Sequence, residues 1–298
     1  MKILVTGGTV FVSRFVAEYF VKAGHEVYVL NRNTKPQVDG VRLIKCDRHD
    51  IGGRLKNLHF DTVIDVTAYT AEDVNLLLDG IADFDNYFLI SSSAVYPETL
   101  EIPFKVGDMC GANAFWGAYG TNKIAAENAL LKRVHSAYIL RPPYLYGEYN
   151  NVYREAFVFD CAERSAPFYL PKNGSMPLQF FHVEDLCRFI ETLIALRPEQ
   201  RIYNVGNTPV KVKEWVEACY AAVGKTLEFI SVNDGTEQRN YFPFYDYGYV
   251  LDTTPQNEIM PDLLPLEIGL QRAYSWYKVN KSAVKPKNYF DYIEKNFK

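Results

Sequence analysis

Three observations predict an α/β fold in which a doubly wound parallel sheet carries a smaller C-terminal lobe. The chain opens with β-forming residues at Ile3 to Val5, the turn Thr6-Gly7-Gly8-Thr9 and an amphipathic helix pattern. Strand and helix patterns then alternate through about residue 147, and such alternation gives a parallel sheet with helices on both faces. Beyond that point the sequence becomes proline-punctuated and rich in tyrosine. We therefore expect a second, smaller lobe that caps the sheet.

Seven strands and four helices account for the alternation. The predicted strands are Ile3–Val5, Val27–Leu30, Val41–Lys45, Thr62–Val66, Tyr87–Ser91, Ala137–Leu140 and Ile202–Val205. The predicted helices are Phe11–Ala23, Ala71–Ile81, Tyr119–Val134 and Val183–Leu196. We assign residues 1–147 to the sheet domain, with a return to it over residues 179–206. Residues 148–178 and 207–298 then form the smaller, substrate-binding lobe.

Composition and charge exclude several classes of function. The 298 residues are 48% apolar and 23% charged, as in ordinary globular proteins, and the net charge is -4. An acidic chain has no excess of positive charge with which to bind nucleic acid or an anionic membrane. The five cysteines are far apart, form no CxxC and predict neither disulfides nor a metal site. With no room for a signal peptide before the first strand and no membrane-spanning apolar run, we expect a cytoplasmic protein with reduced thiols.

The glycine turn after the first strand predicts a dinucleotide site. Unpaired amides and the positive dipole end of the following helix point at whatever lies over such a turn. Of the three glycines in the G-x-x-G-x-x-G fingerprint, only Gly7 is present, because Val10 and Ser13 occupy the other two positions. The second strand nevertheless arrives at the spacing that a βαβ unit requires. A tight turn in a ligand-free domain is the alternative.

Residues that follow the second strand bear on which dinucleotide is bound. In an NAD enzyme an acid at this position binds the ribose 2′-hydroxyl, whereas in an NADP enzyme an arginine accommodates the 2′-phosphate. Here Asn31 and Arg32 follow the strand, and Lys35 lies close behind. The cofactor is therefore expected to be NADP or NAD, with NADP slightly preferred. A solvated basic turn is the alternative interpretation.

Further candidates follow the third, fourth and fifth strands, because ligands of such sheets bind beyond the carboxyl ends of the strands. Asp47 and Arg48 are positioned to flank an adenine ring, although isolated charges there are often only solvated. The fifth strand ends in three consecutive serines, 91–93. The candidates for cofactor binding up to this point are Gly7, Gly8, Thr9, Val10, Phe11, Val12, Asn31, Arg32, Asp47, Arg48, Thr67, Ala68 and Tyr69.

Tyr119 and Lys123 are the strongest candidates for proton chemistry. Their spacing of four places both side chains on one face of a helix. A tyrosine that acts as general acid and base near pH 7 needs its phenolate stabilised by about 3 pKa units, or about 4 kcal/mol. A neighbouring ammonium and a cationic nicotinamide ring would supply this in a dry crevice. Two other YxxxK pairs, at Tyr274 and Tyr277, lie far from any serine-bearing strand end.

Several motifs occur together in one order along nearly the whole chain. They are TGGTVF, SSSAVY, YGTNK, RPPYLYG, FFHVEDL, YNVGN and LDTTP. Together they resemble the extended short-chain dehydrogenase/reductase superfamily, of the NAD(P)-dependent epimerase/dehydratase type, whose sheet is a Rossmann fold. Three further features resemble an atypical branch of this superfamily, which includes the chloroplast stem-loop-binding, RNA-associated proteins. They are Val10 after the GGT turn, the pair NR at residues 31–32, and DRHD at residues 47–50.

The resemblance implies specific roles. Tyr119 would be the catalytic acid/base, Lys123 would hold the nicotinamide ribose and lower the pKa of that tyrosine, and Ser92, with Ser93 as the fallback, would hydrogen-bond the reacting group. His182 and Asp185 match a signature that we interpret as a structural anchor between the lobes. Members of the superfamily also commonly pair through the two helices Ala71–Ile81 and Tyr119–Val134, which implies a homodimer. Further cofactor contacts implied by the resemblance are Ser91, Lys123, Pro142, Tyr144 and Leu145.

Two departures from the family pattern leave the function open. Val10 places a side chain where the pyrophosphate approaches, and Leu178 stands where related nucleotide-sugar epimerases carry an arginine for the substrate diphosphate. Arg154 or Arg239 is a candidate substitute for that arginine, and a surface arginine without such a role is the alternative. An oxidoreductase, epimerase or dehydratase of a sugar-like or nucleotide-sugar-like molecule is the leading hypothesis. A cofactor-binding regulatory protein without turnover is the second hypothesis. An RNA-associated protein is the third, and the acidic charge opposes it.

Overall fold

The structure is a computed structural model that describes residues 1–233 and 235–298. Its strands are β1 (Lys2–Thr6), β2 (Glu26–Asn31), β3 (Arg42–Lys45), β4 (Leu55–Asp65), β5 (Ile81–Ile90), β6 (Tyr138–Arg141), β7 (Tyr144–Tyr146), β8 (Phe168–Pro171), β9 (Pro177–Leu178), β10 (Phe180–His182), β11 (Ile202–Asn204), β12 (Val210–Lys211) and β13 (Phe229–Val232). Its α-helices are α1 (Phe11–Lys22), α2 (Ala71–Gly80), α3 (Ala118–Arg133), α4 (Glu155–Glu163), α5 (Val183–Leu196), α6 (Val212–Val223), α7 (Thr254–Ile259), α8 (Leu266–Val279) and α9 (Tyr289–Asn296).

Seven of the strands form one parallel sheet in the order β3-β2-β1-β4-β5-β6-β11. The strand order reverses between β1 and β4, because the chain crosses there from one half of the sheet to the other. In open sheets of this type the crevice beyond the carboxyl ends of the strands at such a point is where ligands bind. The turn after β1 and the segment after β4 therefore lie at the centre of the expected site.

Helices cover both faces of the sheet. Along β1, Ile3 and Val5 pack in one hydrophobic cluster with α1 and α5, whereas Leu4 packs in the opposite cluster with α2 and α3. This alternation follows from the two-residue period of a strand, and both faces are apolar because both are covered. The predicted doubly wound α/β fold is confirmed, and all seven predicted strands lie in this sheet.

The elements outside the sheet surround a third, aromatic-rich core. Its strands pair as β7 with β10, β8 with β13, and β9 with β12. The core joins β7, β8 and β10 to α4, α6 and α8, with Trp215 fully buried against Phe180 and Phe244. The sequence patterns did not resolve these short strands or α4, α6, α7, α8 and α9. The domain boundaries at residues 147, 178 and 206 stay a prediction.

Two further sequence predictions can be compared with the fold. All five cysteines are free thiols: Cys110 is half-buried and the other four are buried. Among the described residues, no helix is long and apolar enough to cross a membrane.

Candidate active site

Two adjoining cavities lie beyond the carboxyl ends of the sheet strands. The first, which we call the tyrosine cavity, has a volume of about 510 Å³ and contains Tyr119. The second, the turn cavity, has a volume of about 410 Å³ and lies beside the glycine turn. Val10, Thr67 and Tyr69 line both cavities, so the two are halves of one crevice.

The glycine turn is shaped by two residues in the left-handed region. Gly7 has φ +91° and Gly8 has φ +88°, conformations that L residues rarely adopt. A Cβ at Gly8 would lie 2.5 Å from the Cγ1 of Val29, so the turn packs directly on β2. On the other side Asn31 Nδ2 donates to the Gly7 carbonyl at 2.6 Å. The turn is thus fixed between β1 and β2, and the N-terminus of α1, whose first amides have no intrahelical partner, opens into the crevice.

A buried ion pair forms the floor of the turn cavity. The Arg48 guanidinium donates to both oxygens of Asp65, at 3.1 and 2.9 Å, and also to the Thr67 hydroxyl at 3.0 Å. Asp65 further accepts hydrogen bonds from Thr6 and Tyr87. Burial raises the pKa of Asp65, but Arg48 and the hydrogen bonds outweigh it and hold that pKa below its usual range. Arg48 is therefore a fixed part of the floor of the turn cavity, whereas the sequence predicts a free side chain beside an adenine ring.

The polar side chains at the rim of the turn cavity are more exposed. Asp47 accepts a hydrogen bond from the His49 backbone N–H at 3.0 Å, which lowers the pKa of its carboxyl. Arg32 and Lys35 line the same cavity. In the described part of the chain, neither of these two cations has a carboxylate within 4.0 Å. The rim therefore carries the two cations of Arg32 and Lys35 beside the Asp47 carboxylate, and the preference for NADP stays a prediction.

The three consecutive serines after β5 have three different environments. The Ser91 hydroxyl donates to Glu127, and the Ser93 hydroxyl donates to Tyr249 at 3.0 Å, so both are committed to buried partners. The Ser92 hydroxyl oxygen accepts from the Ala94 backbone N–H at 3.1 Å and keeps its own O–H free to donate. Ser92 and Tyr119 both line the tyrosine cavity, and the Ser92 hydroxyl lowers the pKa of the Tyr119 phenol. The structure therefore brings together Ser92 and Tyr119, and it gives Ser93, the fallback, another partner.

Tyr119 lies in the first turn of α3 at the wall of the cavity, with 40% of the residue exposed. Burial of the hydroxyl raises the pKa of Tyr119, whereas the Ser92 hydrogen bond and the charge of Arg154 lower it. The outcome is a raised pKa, which differs from the lowered value that the sequence predicts. The physical reason is that the Lys123 ammonium is directed at backbone carbonyls, so burial dominates.

Lys123 lies one turn further along α3, with only 2% of the residue exposed. Its Nζ donates to the Ala68 carbonyl at 2.7 Å and to the Ile90 carbonyl at 2.8 Å. The Tyr69 ring covers the remaining side, with its centroid 4.9 Å from Nζ. Burial lowers the pKa of Lys123 to about 8, against the opposing charges of Asp65 and Glu127. The ammonium is thus held at the bottom of the crevice between the ends of β4 and β5.

A glycine brings α3 against the serine segment. An ideal Cβ at Gly120 would lie 2.3 Å from the Ala94 carbonyl oxygen, a separation that real Cβ atoms essentially never show. Only a residue without a side chain allows this approach. Because Gly120 follows Tyr119 directly, its small size sets the distance between the phenol and Ser92.

A second buried ion pair connects α3 to the end of β6. Arg141, at the end of β6, binds Glu127 through Nε at 3.1 Å and Nη2 at 2.6 Å. Glu127 also accepts from Ser91, and Arg141 donates to the Tyr96 hydroxyl at 2.9 Å. Side chains of this pair are 4–5% exposed. The network ties α3 to the ends of β5 and β6, where the catalytic candidates lie.

The opposite wall of the tyrosine cavity comes from parts of the chain outside the predicted catalytic and cofactor residues, and among its members only Arg154 is a sequence candidate, for the substrate diphosphate. Trp116 precedes α3, Arg154 precedes α4, and Tyr249 comes from near the C-terminus. Trp116 lies only three residues before Tyr119, a spacing that offers a usable signal. Tyr249 is more than a hundred residues from any predicted site residue, so only the fold reveals it.

Most predicted site residues line the crevice. Of the predicted cofactor contacts, Gly8 and Ala68 line neither cavity, since Gly8 packs on β2 and Ala68 is fully buried. Predicted residues that line the tyrosine cavity are Val10, Phe11, Val12, Thr67, Tyr69, Ser91, Ser92, Tyr119, Lys123, Pro142, Tyr144 and Leu145. Predicted residues that line the turn cavity are Gly7, Thr9, Val10, Asn31, Arg32, Asp47, Arg48, Thr67 and Tyr69.

His182 and Asp185 lie outside the crevice and connect its surroundings. His182 is fully buried, accepts from the Glu184 backbone N–H, and has Nε2 3.3 Å from Glu148 Oε2. Asp185 accepts from the Leu264 backbone N–H at 2.9 Å. These contacts join α5 to the segments that follow β7 and α7, as expected for a structural anchor. Leu178 is 1% exposed and packs in the aromatic core.

Comparisons with known proteins agree with this geometry. The chain is 27% identical over 272 residues to the chloroplast stem-loop binding protein of 41 kDa b of Arabidopsis thaliana, covering 83% of this chain and 71% of that protein. It is 24% identical over 251 residues to 2′-dehydrokanamycin reductase of Streptomyces kanamyceticus, covering 78% and 69%. The fold is similar to UDP-glucose 4-epimerase of Thermotoga maritima with UDP-glucose, at a TM-score of 0.74 and 18% identity, covering 94% and 100%.

A family model matches residues 3–206, which span the seven strands of the sheet except Lys2 and contain every lining residue of the crevice except Tyr249. The match covers more than half of the chain. The protein therefore belongs to the NAD dependent epimerase/dehydratase family.

Proposed function

We propose that this enzyme oxidises or reduces a hydroxyl-bearing carbon of a sugar-like or nucleotide-sugar-like substrate, with Ser92, Tyr119 and Lys123 as catalytic residues. The observation that carries the proposal is that Ser92, Tyr119 and the buried Lys123 line one cavity. The substrate lobe proposed for residues 148–178 and 207–298 would cap this cavity.

The crevice fits a nicotinamide dinucleotide. Its two cavities, of about 510 and 410 Å³, are joined at Val10 beside the N-terminus of α1, where a helix favours a pyrophosphate. Gly7 and Gly8 keep the turn free of side chains. Arg32 and Asn31 would face the adenosine end, and Lys123 with Pro142 and Leu145 the nicotinamide end. When bound, the cofactor supplies the hydride acceptor or donor.

The chain's own residues would handle the proton. During oxidation, the Tyr119 oxygen takes the proton of the substrate hydroxyl, and during reduction it returns that proton. Ser92, whose oxygen is already fixed by the Ala94 amide, donates its O–H to the substrate oxygen and orients it. Lys123 holds the ribose through an N–H that is now covered by the Tyr69 ring. Because burial raises the pKa of Tyr119, a bound oxidised nicotinamide would supply the positive charge that stabilises its phenolate.

Tyr119→Phe tests the chemistry, because it removes the hydroxyl and leaves the ring. Turnover should fall by about 10²- to 10⁴-fold, the range typical of general acid/base loss, while cofactor affinity survives. Lys123→Met should lower both turnover and cofactor affinity, and Ser92→Ala should lower turnover alone. The triple variant should be little worse than Tyr119→Phe, because residues that act as a unit are non-additive. A substrate turned over equally by wild type and Tyr119→Phe would assign the chemistry elsewhere.

The assay is a screen of nucleotide sugars, free sugars and polyols for nicotinamide reduction at 340 nm or for epimer formation. The matched control is Tyr69→Phe, because this neighbouring phenol lies in the same cavity at 6.3 Å between ring centroids. It should retain turnover, since its hydroxyl has no role in the proposed proton transfer.

We also propose that NADP binds more tightly than NAD. Arg32 and Lys35 provide positive charge at the rim of the turn cavity, and no carboxylate of the described residues forms an ion pair with either within 4.0 Å. Arg32→Asp should reverse the preference in calorimetric titrations with the two cofactors. NAD binding tenfold tighter than NADP to the wild type would contradict the proposal.

We further propose a homodimer that forms through α2 and α3. These helices pack side by side on one face of the sheet, and their outward sides remain exposed at Glu72, Asp79, Asn122 and Ala125. Sedimentation at micromolar concentration should give twice the chain mass of 34.2 kDa. A species of 34.2 kDa alone would contradict it.

A regulatory, cofactor-binding or RNA-associated protein with little turnover is the second candidate. Two observations favour it: the Val10 side chain lines both cavities at their junction, and one relative is named a stem-loop binding protein. Under this candidate Tyr119→Phe changes nothing measurable beyond cofactor binding. The same substrate screen therefore separates the two candidates.

A further inference from the structure

Tyr69 lies where the two halves of the crevice meet, because it lines both the tyrosine cavity and the turn cavity. Half of the residue is exposed, and its ring packs in none of the three hydrophobic cores that the described residues form. The ring is therefore placed to contact a molecule in the crevice rather than to stabilise the fold.

The Tyr69 ring covers the one side of the Lys123 ammonium that backbone carbonyls leave open. An ammonium group has three N–H donors, and two of those on Lys123 are taken by the carbonyls of Ala68 at 2.7 Å and Ile90 at 2.8 Å. The third side faces the Tyr69 ring, whose centroid is 4.9 Å from Nζ. A ring face attracts a cation at such a distance, although less strongly than an oxygen that accepts a charge-assisted hydrogen bond.

The backbone of Tyr69 is fixed, whereas its side chain is not. The backbone N–H groups of Tyr69 and Thr70 both donate to Asp73 Oδ2, at 2.9 Å each, beside the capping box of α2. The preceding carbonyl, that of Ala68, is bound by Lys123. In the described part of the chain the Tyr69 hydroxyl forms no hydrogen bond. Rotation about the side-chain bonds therefore moves the ring without moving the segment that carries it.

A nicotinamide ribose and the Tyr69 ring would compete for the same N–H of Lys123. The proposed function assigns the ribose to this ammonium, and its remaining N–H is the one beneath the ring. A hydroxyl oxygen that accepts from this N–H has to lie about 2.9 Å from Nζ. On that side it would lie inside the contact distance of a ring whose centroid is only 4.9 Å from the same atom. The two partners therefore exclude one another.

We propose that Tyr69 is a gate over Lys123, whose ring has to leave the ammonium before the nicotinamide ribose binds there. The inference rests on the proposed function, because it requires that a nicotinamide dinucleotide uses Lys123. Such a gate weakens the binding of the dinucleotide, since part of the binding free energy is used to displace the ring. It does not weaken the binding of a ligand that occupies only the turn cavity, such as ADP.

The test is calorimetric titration of the full-length protein with ADP and with NADPH or NADH, whichever binds the wild type more tightly. Tyr69→Ala should bind the dinucleotide about three- to tenfold more tightly than the wild type does, because the cation–π contact no longer has to be broken. Its affinity for ADP should stay within about twofold of the wild-type value. Tyr69→Phe is the matched control: it keeps the ring and should bind both ligands as the wild type does.

The gain in affinity should depend on the ammonium. In a Lys123→Met background, Tyr69→Ala should leave the affinity for the dinucleotide unchanged, because no cation then holds the ring over the site. A ring that instead stacks on the cofactor predicts the opposite sign, since Tyr69→Ala would then weaken binding in both backgrounds.

A fluorotyrosine placed at residue 69 reports on the ring itself, independently of affinity and turnover. Its ¹⁹F resonance should shift when the dinucleotide is added and should not shift with ADP. An unshifted resonance at saturating dinucleotide would overturn the gate.

The gate and the proposed function fail in different ways. Equal or weaker dinucleotide binding by Tyr69→Ala, or a gain in affinity that ADP or the Lys123→Met background shares, overturns the gate. The cofactor site itself then still stands if Lys123→Met alone weakens dinucleotide binding. Binding of neither dinucleotide to the wild type or to Tyr69→Ala at millimolar concentration overturns the proposed function and the gate together.

Discussion

The Arg48–Asp65 ion pair provides a quantitative test of how the crevice is built. The Asp65 side chain is fully buried and that of Arg48 is 10% exposed, and Asp65 accepts four hydrogen bonds. Asp65→Asn keeps the shape but leaves the guanidinium with only the Asp73 carboxylate as a compensating charge, at 3.6 Å from Nε and without a hydrogen bond to it. Breaking a buried pair by removing one partner costs about 3 to 5 kcal/mol. We expect a loss of about 3 kcal/mol, since the amide still accepts from Thr6.

The assay is urea unfolding followed by tryptophan fluorescence and by circular dichroism. With a slope near 3 kcal/mol per molar, the midpoint should fall by about 1 M. Arg48→Met should cost a similar amount because it leaves Asp65 unpaired. The double variant should cost about 3 rather than about 6 kcal/mol, since both charges are then gone.

The exposed pair of Arg42 and Glu26, with side chains 65% and 41% exposed, is the control. Glu26→Gln should cost less than about 1 kcal/mol, as is usual for surface pairs. Additive losses in the Arg48/Asp65 double variant, or a loss under about 1 kcal/mol for Asp65→Asn, would refute the assignment of this pair as the fixed floor of the turn cavity.

Three further outcomes are expected. Gly120→Ala should lower turnover at least tenfold with cofactor affinity retained, because a Cβ 2.3 Å from the Ala94 carbonyl must push Tyr119 away from Ser92; unchanged kcat in steady-state assays would contradict this. Cofactor affinity should fall as pH rises through about 8, where Lys123 loses its proton. The free energy of unfolding should rise from pH 8 to 10.5, because over this range the unfolded chain binds more protons than the folded chain. Titrations of Lys123→Met should show neither effect. Burial raises the pKa of Glu148, but the His182 contact and other interactions outweigh it and lower that pKa to about 2. The pair should therefore contribute about 3 kcal/mol to the free energy of unfolding above pH 4.5, and this contribution should be lost as pH falls toward 2. In Glu148→Gln, urea unfolding should show a smaller loss of stability over the same pH range.

The parts of the site that local patterns encode were predictable from the sequence. The sheet strands follow from hydrophobic runs, and the turn at Gly7 follows from its position between a strand and a helix. Ser92, Tyr119 and Lys123 line one cavity because the ends of parallel strands and the helix after β5 meet at one edge of the sheet.

Other features depend on contacts between distant segments and could not be predicted. Arg48 looks like a free strand-end charge in the sequence, but Asp65, 17 residues later, binds it within the floor. Likewise, nothing local indicates that Tyr249 lines the crevice, because its position depends on how the aromatic core folds. The raised pKa of Tyr119 has the same origin, since burial is a property of the whole fold.

The central claim is that the crevice holds a nicotinamide dinucleotide with Lys123 at the ribose. Fluorescence titration of the purified protein with NADPH and NADH, in the wild type and in Lys123→Met, tests it most directly. The account predicts saturable binding to the wild type and an affinity at least tenfold weaker in Lys123→Met, in line with a lost charge-assisted hydrogen bond of about 1.5 to 3 kcal/mol. No binding of either nucleotide at millimolar concentration, or equal affinities in the two proteins, would contradict it.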